Sequence, residues 1–242
     1  TEAGERYFQM VAEQVEGIAA ATDRIRGAHT VTTLNIRATP SLSSKWLLPR
    51  LSSFLDRHPQ FEVRLDGTNE QTDFSREGVD VEIRHGEGRW PGLFVEGFAT
   101  ETILPACAPA YAAARSLPAA ALLDCRLIHS VKAQVQWSHW FAAAGVPQDR
   151  RWRRVLFDRS HMAIDAALDG LGVALESNLM MWSELCDGRL VCPVIEPPAT
   201  SIVSQWIVCP HDHLRHQKVR AFIDWVRAER DAWAAESMQA AA

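Results

Sequence analysis

The chain has 242 residues, of which 47% are hydrophobic and 23% charged, and its mean hydropathy is -0.13. This composition is typical of a soluble globular protein with one large domain or two lobes. A net charge of -5 indicates that this chain does not bind nucleic acid by itself, because phosphate binding needs a positive surface. No apolar run approaches the roughly 20 residues that span a bilayer. The N-terminus, TEAGERYFQM, is too charged for a secretory signal.

Five scattered cysteines form an odd set without C-x-x-C spacing. We interpret them as reduced and structural, since free cysteine is commonly just buried. Together with the missing signal sequence, they predict a cytoplasmic protein. The chain starts at Thr1 rather than Met, inside a helical pattern, so we expect it to be a piece of a longer protein.

Residues 1–27 carry apolar side chains in alternating three- and four-residue steps, the spacing of a helix–helix seam. Thr1 can cap this helix and Gly27 can end it. The pattern predicts a linker or dimerisation helix, and packing against its own domain remains the alternative. The residues on the stripe are Phe8, Val11, Val15, Ile18, Thr22 and Ile25.

The next third alternates strand and helix patterns. We predict strands at 31–37, 61–66 and 79–84, with helices at 46–54 and 74–77 between them. Pro49 would then fall in the first turns of its helix, where a missing N–H costs least. This alternation favours a parallel sheet covered by helices.

The rest of the chain repeats the theme. We predict strands at 93–104, 126–129, 155–157, 173–175, 190–194 and 201–208, and helices at 136–144, 160–168, 178–186 and 216–233, with short helical pieces on either side of Pro118. The long strands at 93–104 and 201–208 connect the two halves. The pattern therefore predicts an α/β protein with two lobes around a small-molecule cleft.

The segment ATPSLSSKWLLPRL places three serines between a strand and a helix: Ser41, Ser43 and Ser44. Serine side chains accept hydrogen bonds from the free N–H groups of a first helical turn, so the three can be caps. A strand end followed by a helix N-terminus is also where α/β proteins hold small anions. Both interpretations remain open at this stage.

An ordered set of six segments resembles the LysR-type transcriptional regulators. The segments are TEAGERYF, WLLPRLSSFLDRHPQFEVRL, GVDVEIRHGEGRWPGL, LPACAPAY, FDRSHMAIDAALDGLGVAL and SQWIV. More narrowly, the chain is similar to the subgroup of the glycine-cleavage activator and the β-lactamase-inducing regulator. The resemblance implies a two-lobed, periplasmic-binding-protein-like (LysR substrate-binding) fold after a long linker helix. It also implies DNA binding through an N-terminal winged helix-turn-helix that is not present in this chain, and a homodimer or homotetramer.

The resemblance implies that the segment around Thr39 lines the cleft and holds effector carboxylates with its hydroxyls. The opposite wall would come from Ser160 and His161, where the histidine either makes the site pH-sensitive or is solvent-facing or merely packed. Secondary candidates are Arg84, His85 and Gln205, with Arg84 alternatively paired to Glu82 or Asp80. The full effector-binding set is Thr39, Ser41, Leu42, Ser43, Ser44, Arg84, Thr102, His129, Ser160, His161 and Gln205.

We therefore expect the ligand-sensing and oligomerisation portion of a bacterial regulator, with a small anionic or zwitterionic effector between the lobes. The expected division is a linker helix at 1–27, lobe I at 28–101 completed by 206–242, and lobe II at 102–205. A solute-binding protein of a transport system is the alternative. An enzyme is not expected because the catalytic and phosphate-binding motifs are missing. We expect no cofactor, and the histidines of PHDHLRH are better explained as residues around a helix start than as a metal site.

Overall fold

The computed structural model describes residues 1, 4, 11, 32–111, 117–148 and 152–240. The predicted helix over 1–27 lies outside these residues except at three isolated positions. Four of the five predicted dimerisation residues, Phe8, Val15, Ile18 and Ile25, lie outside them as well, and the dimerisation helix stays a prediction.

The first sheet, sheet A, has five strands in the order β2-β1-β3-β10-β4. β1 pairs in parallel with β2 and β3, whereas β10 is antiparallel to both β3 and β4. β3 is buried along most of its length, which is expected for a central strand covered on both faces. The strands are β1 (Thr32–Ala38), β2 (Phe61–Gly67), β3 (Val81–His85), β4 (Leu93–Gly97) and β10 (Gln205–Pro210).

The second sheet, sheet B, has five strands in the order β7-β6-β8-β5-β9. β6 is parallel to β7 and β8, and β5 is antiparallel to β8 and β9. Its strands are β5 (Glu101–Ala106), β6 (Arg126–Ser130), β7 (Arg153–Phe157), β8 (Val173–Ser177) and β9 (Thr200–Ile202). The two sheets and their helices confirm the predicted two-lobed α/β architecture.

Helices cover both sheets. A continuous helical run over residues 40–57, α1, consists of an α-turn (Pro40–Leu42), a π-turn (Ser43–Leu47), a 3-10 turn (Leu48–Arg50) and an α-helix (Leu51–Arg57). The others are α2 (Trp137–Ala143), α3 (Ser160–Leu168), α4 (Trp182–Cys186) and α5 (Gln217–Ala240), with 3-10 turns at Ala119–Asp124 and His213–Arg215.

α1 begins earlier than the sequence pattern suggests, at Pro40 rather than at 46. Proline suits a first helical position, because its missing N–H has no partner there in any case. Pro49 consequently lies inside the run, and its predicted place in the first turns is wrong. The π-turn and 3-10 turn accommodate it, and the Arg50 guanidinium donates to the Trp46 carbonyl at 3.1 Å.

Two predicted strands are each split where the chain passes between the sheets. The strand expected over 93–104 is interrupted at 98–100, and the strand expected over 201–208 is interrupted at 203–204. A single ladder cannot continue from one sheet into the other, so each crossing ends one strand and starts the next. The predicted helix at 74–77 is only a turn, and 190–194 contributes only isolated bridges at Val191 and Val194.

The hydrophobic core is shared across the lobes. One cluster runs from sheet A and its helices to α3, and the other lies on the opposite face of sheet B. Phe98, in the first crossing segment, is fully buried and packs edge-on against Trp46 with ring centroids 4.7 Å apart. The shared core brings the carboxyl ends of the parallel strands in both sheets to one region between them.

Candidate functional site

A cavity of about 250 Å³ lies between the two sheets. Its walls come from the ends of β3 and β8, the starts of α1 and α3, and the loop after β6. The crossing region adds residues from the start of β5 and around 202–205. This volume is just below the range of about 300–1,000 Å³ that is usual for drug-sized ligands, so it suits a small metabolite.

The Ser41 hydroxyl is already occupied within the chain. Its oxygen accepts the backbone N–H of His161 at 3.1 Å and lies 3.2 Å from the Nδ1 of the same residue. Ser41 therefore caps the first turn of α3, on the opposite side of the cavity, rather than its own helix. Thr39 caps α1 instead, accepting the N–H of Leu42 at 3.3 Å. Both Thr39 and Ser41 line the cavity.

The remaining predicted residues of this segment lie away from the cavity lining. Leu42 is fully buried in the core and Ser44 is exposed. Ser43 has a buried hydroxyl without a hydrogen-bond partner in the described part of the chain. Because the helix starts at Pro40, its turns direct these side chains to other faces.

On the opposite wall, Ser160 opens α3 and lines the cavity. Its hydroxyl lies 3.3 Å from that of Ser130 at the end of β6. The N-cap of α3 is Arg159, whose side chain makes no capping bond, so Ser160 lies inside the first turn and does not cap the helix. His161 bonds to Ser41 and does not belong to the lining.

Arg84 is paired with Glu82, as one of its two interpretations predicts, and the effector contact stays a prediction. Its Nη2 donates to Glu82 Oε2 at 2.7 Å and to the Thr72 carbonyl at 3.3 Å, and its guanidinium lies 5.1 Å from the ring centroid of Trp90. Arg84 also lines the cavity. Its Nε is buried and has no hydrogen-bond partner among the described residues.

Gln205 is held at the start of β10. Its Nε2 lies 3.1 Å from Nδ1 of His85 and 3.3 Å from the Ser204 hydroxyl, and burial lowers the pKa of His85. The Gln205 Oε1 is buried without a partner among the residues that the structure describes. Gln205 and His85 both line the cavity.

Two buried glutamates line the cavity and were missed from the sequence. Glu101 accepts the Ser204 hydroxyl at 2.6 Å, and burial raises the pKa of its carboxyl. Glu176 is 4% exposed, and burial, with the nearby Glu101 carboxyl, raises its pKa to about 8. Its Oε1 has no hydrogen-bond partner in the described part of the chain. The sequence contains a signal for Glu176, because VALES places a glutamate near the end of an apolar strand. A glutamate in that position is either buried or faces a site.

Thr102 and His129 lie outside the cavity lining. The Thr102 backbone N–H donates to Asn178 Oδ1 at 2.9 Å. His129 lines a separate surface depression with Trp152 and Leu156, and its ring stacks on that of Trp152 with centroids 6.3 Å apart. The structure thus brings together Thr39, Ser41, Arg84, Ser160 and Gln205, but not these two.

Direct contacts link the two sides around the cavity. Lys45 on α1 donates to Asp165 on α3 at 2.7 Å and to Glu184 on α4 at 3.1 Å. The Gln134 side chain, after β6, donates to the Gly86 carbonyl, after β3, at 2.8 Å. With Ser41–His161, these bonds hold the lobes close together at the cavity rim.

The described residues contain no group of three or more His, Cys, Asp or Glu side chains arranged to hold a metal ion. In PHDHLRH, His213 Nδ1 lies 2.9 Å from the Asp80 carbonyl and its ring stacks on His216. Within the part of the chain that is described, no helix is long and apolar enough to cross a membrane.

Two α/β lobes joined by crossing segments, with a small cavity between them, define a ligand-binding domain of the periplasmic-binding-protein type. The LysR substrate binding domain matches residues 27–231, and this chain belongs to that family. It is 32% identical over 234 residues to the glycine cleavage system transcriptional activator of Escherichia coli K12, covering 96% of this chain and 76% of that protein.

It is also similar to the transcriptional activator AmpR of Pseudomonas aeruginosa, at 31% identity over 93% of this chain and 75% of that one. The solved effector domain of that AmpR matches with a TM-score of 0.70 and 30% identity, covering 87% of this chain and all of the other. The regulatory domain of CrgA from Neisseria meningitidis, at 18% identity and a TM-score of 0.68, shows the same fold. The family confirms that the chain is the effector-binding portion of a LysR-type transcription regulator.

Proposed function

We propose that a small effector binds in the cavity between sheets A and B. The observation that carries this proposal is that buried polar atoms at the cavity lack partners in the described chain: Arg84 Nε, Glu176 Oε1 and Gln205 Oε1. A buried polar group left without a hydrogen bond costs about 1–3 kcal/mol. A ligand that supplies the missing partners recovers this cost.

The proposed effector contacts are those predicted residues that line the cavity, namely Thr39, Ser41, Arg84, Ser160 and Gln205. The starts of α1 and α3 also meet there, and helix N-termini favour anions. These features support an effector with a carboxylate. Because His161 already engages the Ser41 hydroxyl, we expect Ser41 to act mainly by holding the two walls together.

We further propose lobe I at 28–101 with 206–242 and lobe II at 102–205. The membership of the strands in two sheets supports this division into two lobes. The chain passes between the sheets at 98–100 and 203–204, a few residues before each proposed boundary. Effector binding would shift the population of lobe and subunit arrangements. It can do so only by its differential affinity for the two states, typically about 1–3 kcal/mol.

In the whole protein, this portion would act in the cytoplasm as part of a homodimer or homotetramer. DNA would be bound through an N-terminal winged helix-turn-helix, as the family implies. The regulatory relatives argue against the alternative of a transport solute-binding protein. The relatives are transcription regulators, and we propose no catalytic activity.

A thermal-shift screen against small carboxylates, amino acids and peptidoglycan fragments tests this proposal. Amino acids come first because the similar E. coli protein is named for the glycine cleavage system. We expect a dose-dependent rise in Tm for one class, since a ligand at 100 times its Kd adds about 2.7 kcal/mol of stability.

Two matched variants locate the site. Ala133 lines the cavity, whereas Ala142 is exposed on α2. Ala133→Trp should fill the cavity and abolish the rise, and Ala142→Trp should leave it intact. An equal rise in both variants would place the ligand elsewhere and contradict the proposal.

A further inference from the structure

We propose that Glu176 binds a primary ammonium group of the effector, so that the ligand class is amino acids and other zwitterions with a free amino group. This inference rests on the proposed function and deepens it. Glu176 is the penultimate residue of β8, lines the cavity and is 4% exposed. Its Oε1 is buried and has no hydrogen-bond partner in the described chain.

The unpaired atoms of the cavity have a matching chemistry. Glu176 Oε1 and Gln205 Oε1 are acceptors, whereas Arg84 Nε is a donor. An ammonium group offers three donors and no acceptor, and a carboxylate only accepts. A zwitterion therefore supplies donors to the two oxygens and an acceptor to Arg84, which a simple carboxylate cannot do.

Arg84 does not compete with a ligand ammonium group for Glu176, because the Arg84 guanidinium already pairs with Glu82 at 2.7 Å. Burial raises the pKa of Glu176 to about 8, and the neighbouring Glu101 carboxyl adds to the rise while a bond from Ser160 opposes it. The other titratable or charged groups lining the cavity are Glu82, Arg84 and His85 from β3, Lys132 after β6, and Asp158 and Arg159 before α3.

Glu176 therefore holds a proton at neutral pH in the empty cavity. When an ammonium group binds, it favours the carboxylate form of Glu176. The Glu176 proton then leaves to solvent, while the ligand keeps its own protons. The resulting ion pair is buried and hydrogen-bonded, and binding releases a proton whenever the solution pH lies below the pKa of the empty site.

Calorimetric titration of this chain tests the inference with glycine, L-alanine and L-glutamate, beside their deaminated counterparts acetate, propionate and glutarate. We expect binding by an amino acid and at least tenfold weaker binding by its counterpart. At pH 7, the heat of binding measured in phosphate should differ from that in Tris. The difference should correspond to close to one proton released to the buffer. At pH values below the pKa of Glu176, the affinity should increase about tenfold for each unit by which the pH is raised.

Glu176→Gln keeps the size of the side chain and removes the titration, so proton release and the pH dependence should disappear. Glu62→Gln, the same change at an exposed position on β2, should retain both. The wild-type titrations decide the matter even if the Glu176 variant misfolds. Equal binding of acids and amino acids, or binding without proton release, would overturn the ammonium site while leaving the effector cavity in place. No binding or stabilisation by any ligand class would overturn both proposals.

Discussion

Ser41 shows how much of a residue's role depends on distant parts of the chain. Its neighbours along the sequence indicated either a cap or an anion contact, and it is a cap, but for a helix that begins 119 residues later at Ser160. Sequence reasoning identified the serine as important because hydroxyls cluster at a strand–helix junction. It could not identify the partner, because that contact depends on the tertiary arrangement of the two lobes.

The Ser41 contact leads to a matched pair of variants. Ser41→Ala should lower the free energy of unfolding by about 0.5–2 kcal/mol, the usual cost of losing a helix cap. Ser44→Ala, an exposed serine three residues along the same helix, should change it by less than about 0.5 kcal/mol. Urea unfolding measures both, and equal losses would show that the Ser41–His161 contact contributes nothing specific.

Glu176 makes stability depend on pH in a defined direction. Its pKa is raised from 4.5 to about 8 on folding, so between these values the folded state holds a proton that the unfolded chain has lost. This contribution to stability is complete below pH 4.5 and is lost as the pH rises toward 8, by up to about 1.4 kcal/mol per pH unit.

Glu176→Gln should remove this dependence. Urea unfolding from pH 5 to 8 should show the variant gaining stability relative to the parent chain as the pH rises. Glu101, whose pKa burial also raises, remains in both proteins. A constant difference between the two proteins across this range would mean that Glu176 is ionised in the folded chain.

At the scale of elements, periodicity predicted most strands and helices but not where they are interrupted. Alternation revealed β2 and β3, and the α3 bounds agree with the sequence. α1 was predicted too short because the apolar pattern placed its start at 46, which put Pro49 in the first turns, whereas the π-turn and 3-10 turn allow the proline to lie inside a longer run. The split strands were predicted as continuous because an apolar pattern does not reveal a change of sheet.

Gly172, just before β8, is required by a close approach of two backbones. A Cβ at this position would lie 2.2 Å from the carbonyl oxygen of Arg126 at the start of β6. Gly172→Ala should therefore lower the free energy of unfolding by about 1–3 kcal/mol, the range for overpacking. Gly78→Ala, where a Cβ would meet nothing within 4 Å, should be nearly neutral. Equal melting temperatures would contradict this view of the β6–β8 contact.

At the scale of the molecule, the lobes were predictable but their closure was not. Two βα-rich halves indicated a cleft, and the structure supplies bonds across it, including Lys45 to Asp165 and Glu184. Such contacts join residues 120 to 139 positions apart, and no local pattern encodes them. The buried glutamates of the cavity likewise become meaningful only when both sheets are in place.

A crystal structure of the chain with the ligand that raises Tm most tests the central claim directly. The account predicts electron density between the sheets, with a ligand acceptor at Arg84 Nε and ligand donors at Glu176 and Gln205. Density in the depression lined by His129, Trp152 and Leu156, or elsewhere on the surface with the cavity empty, would contradict it.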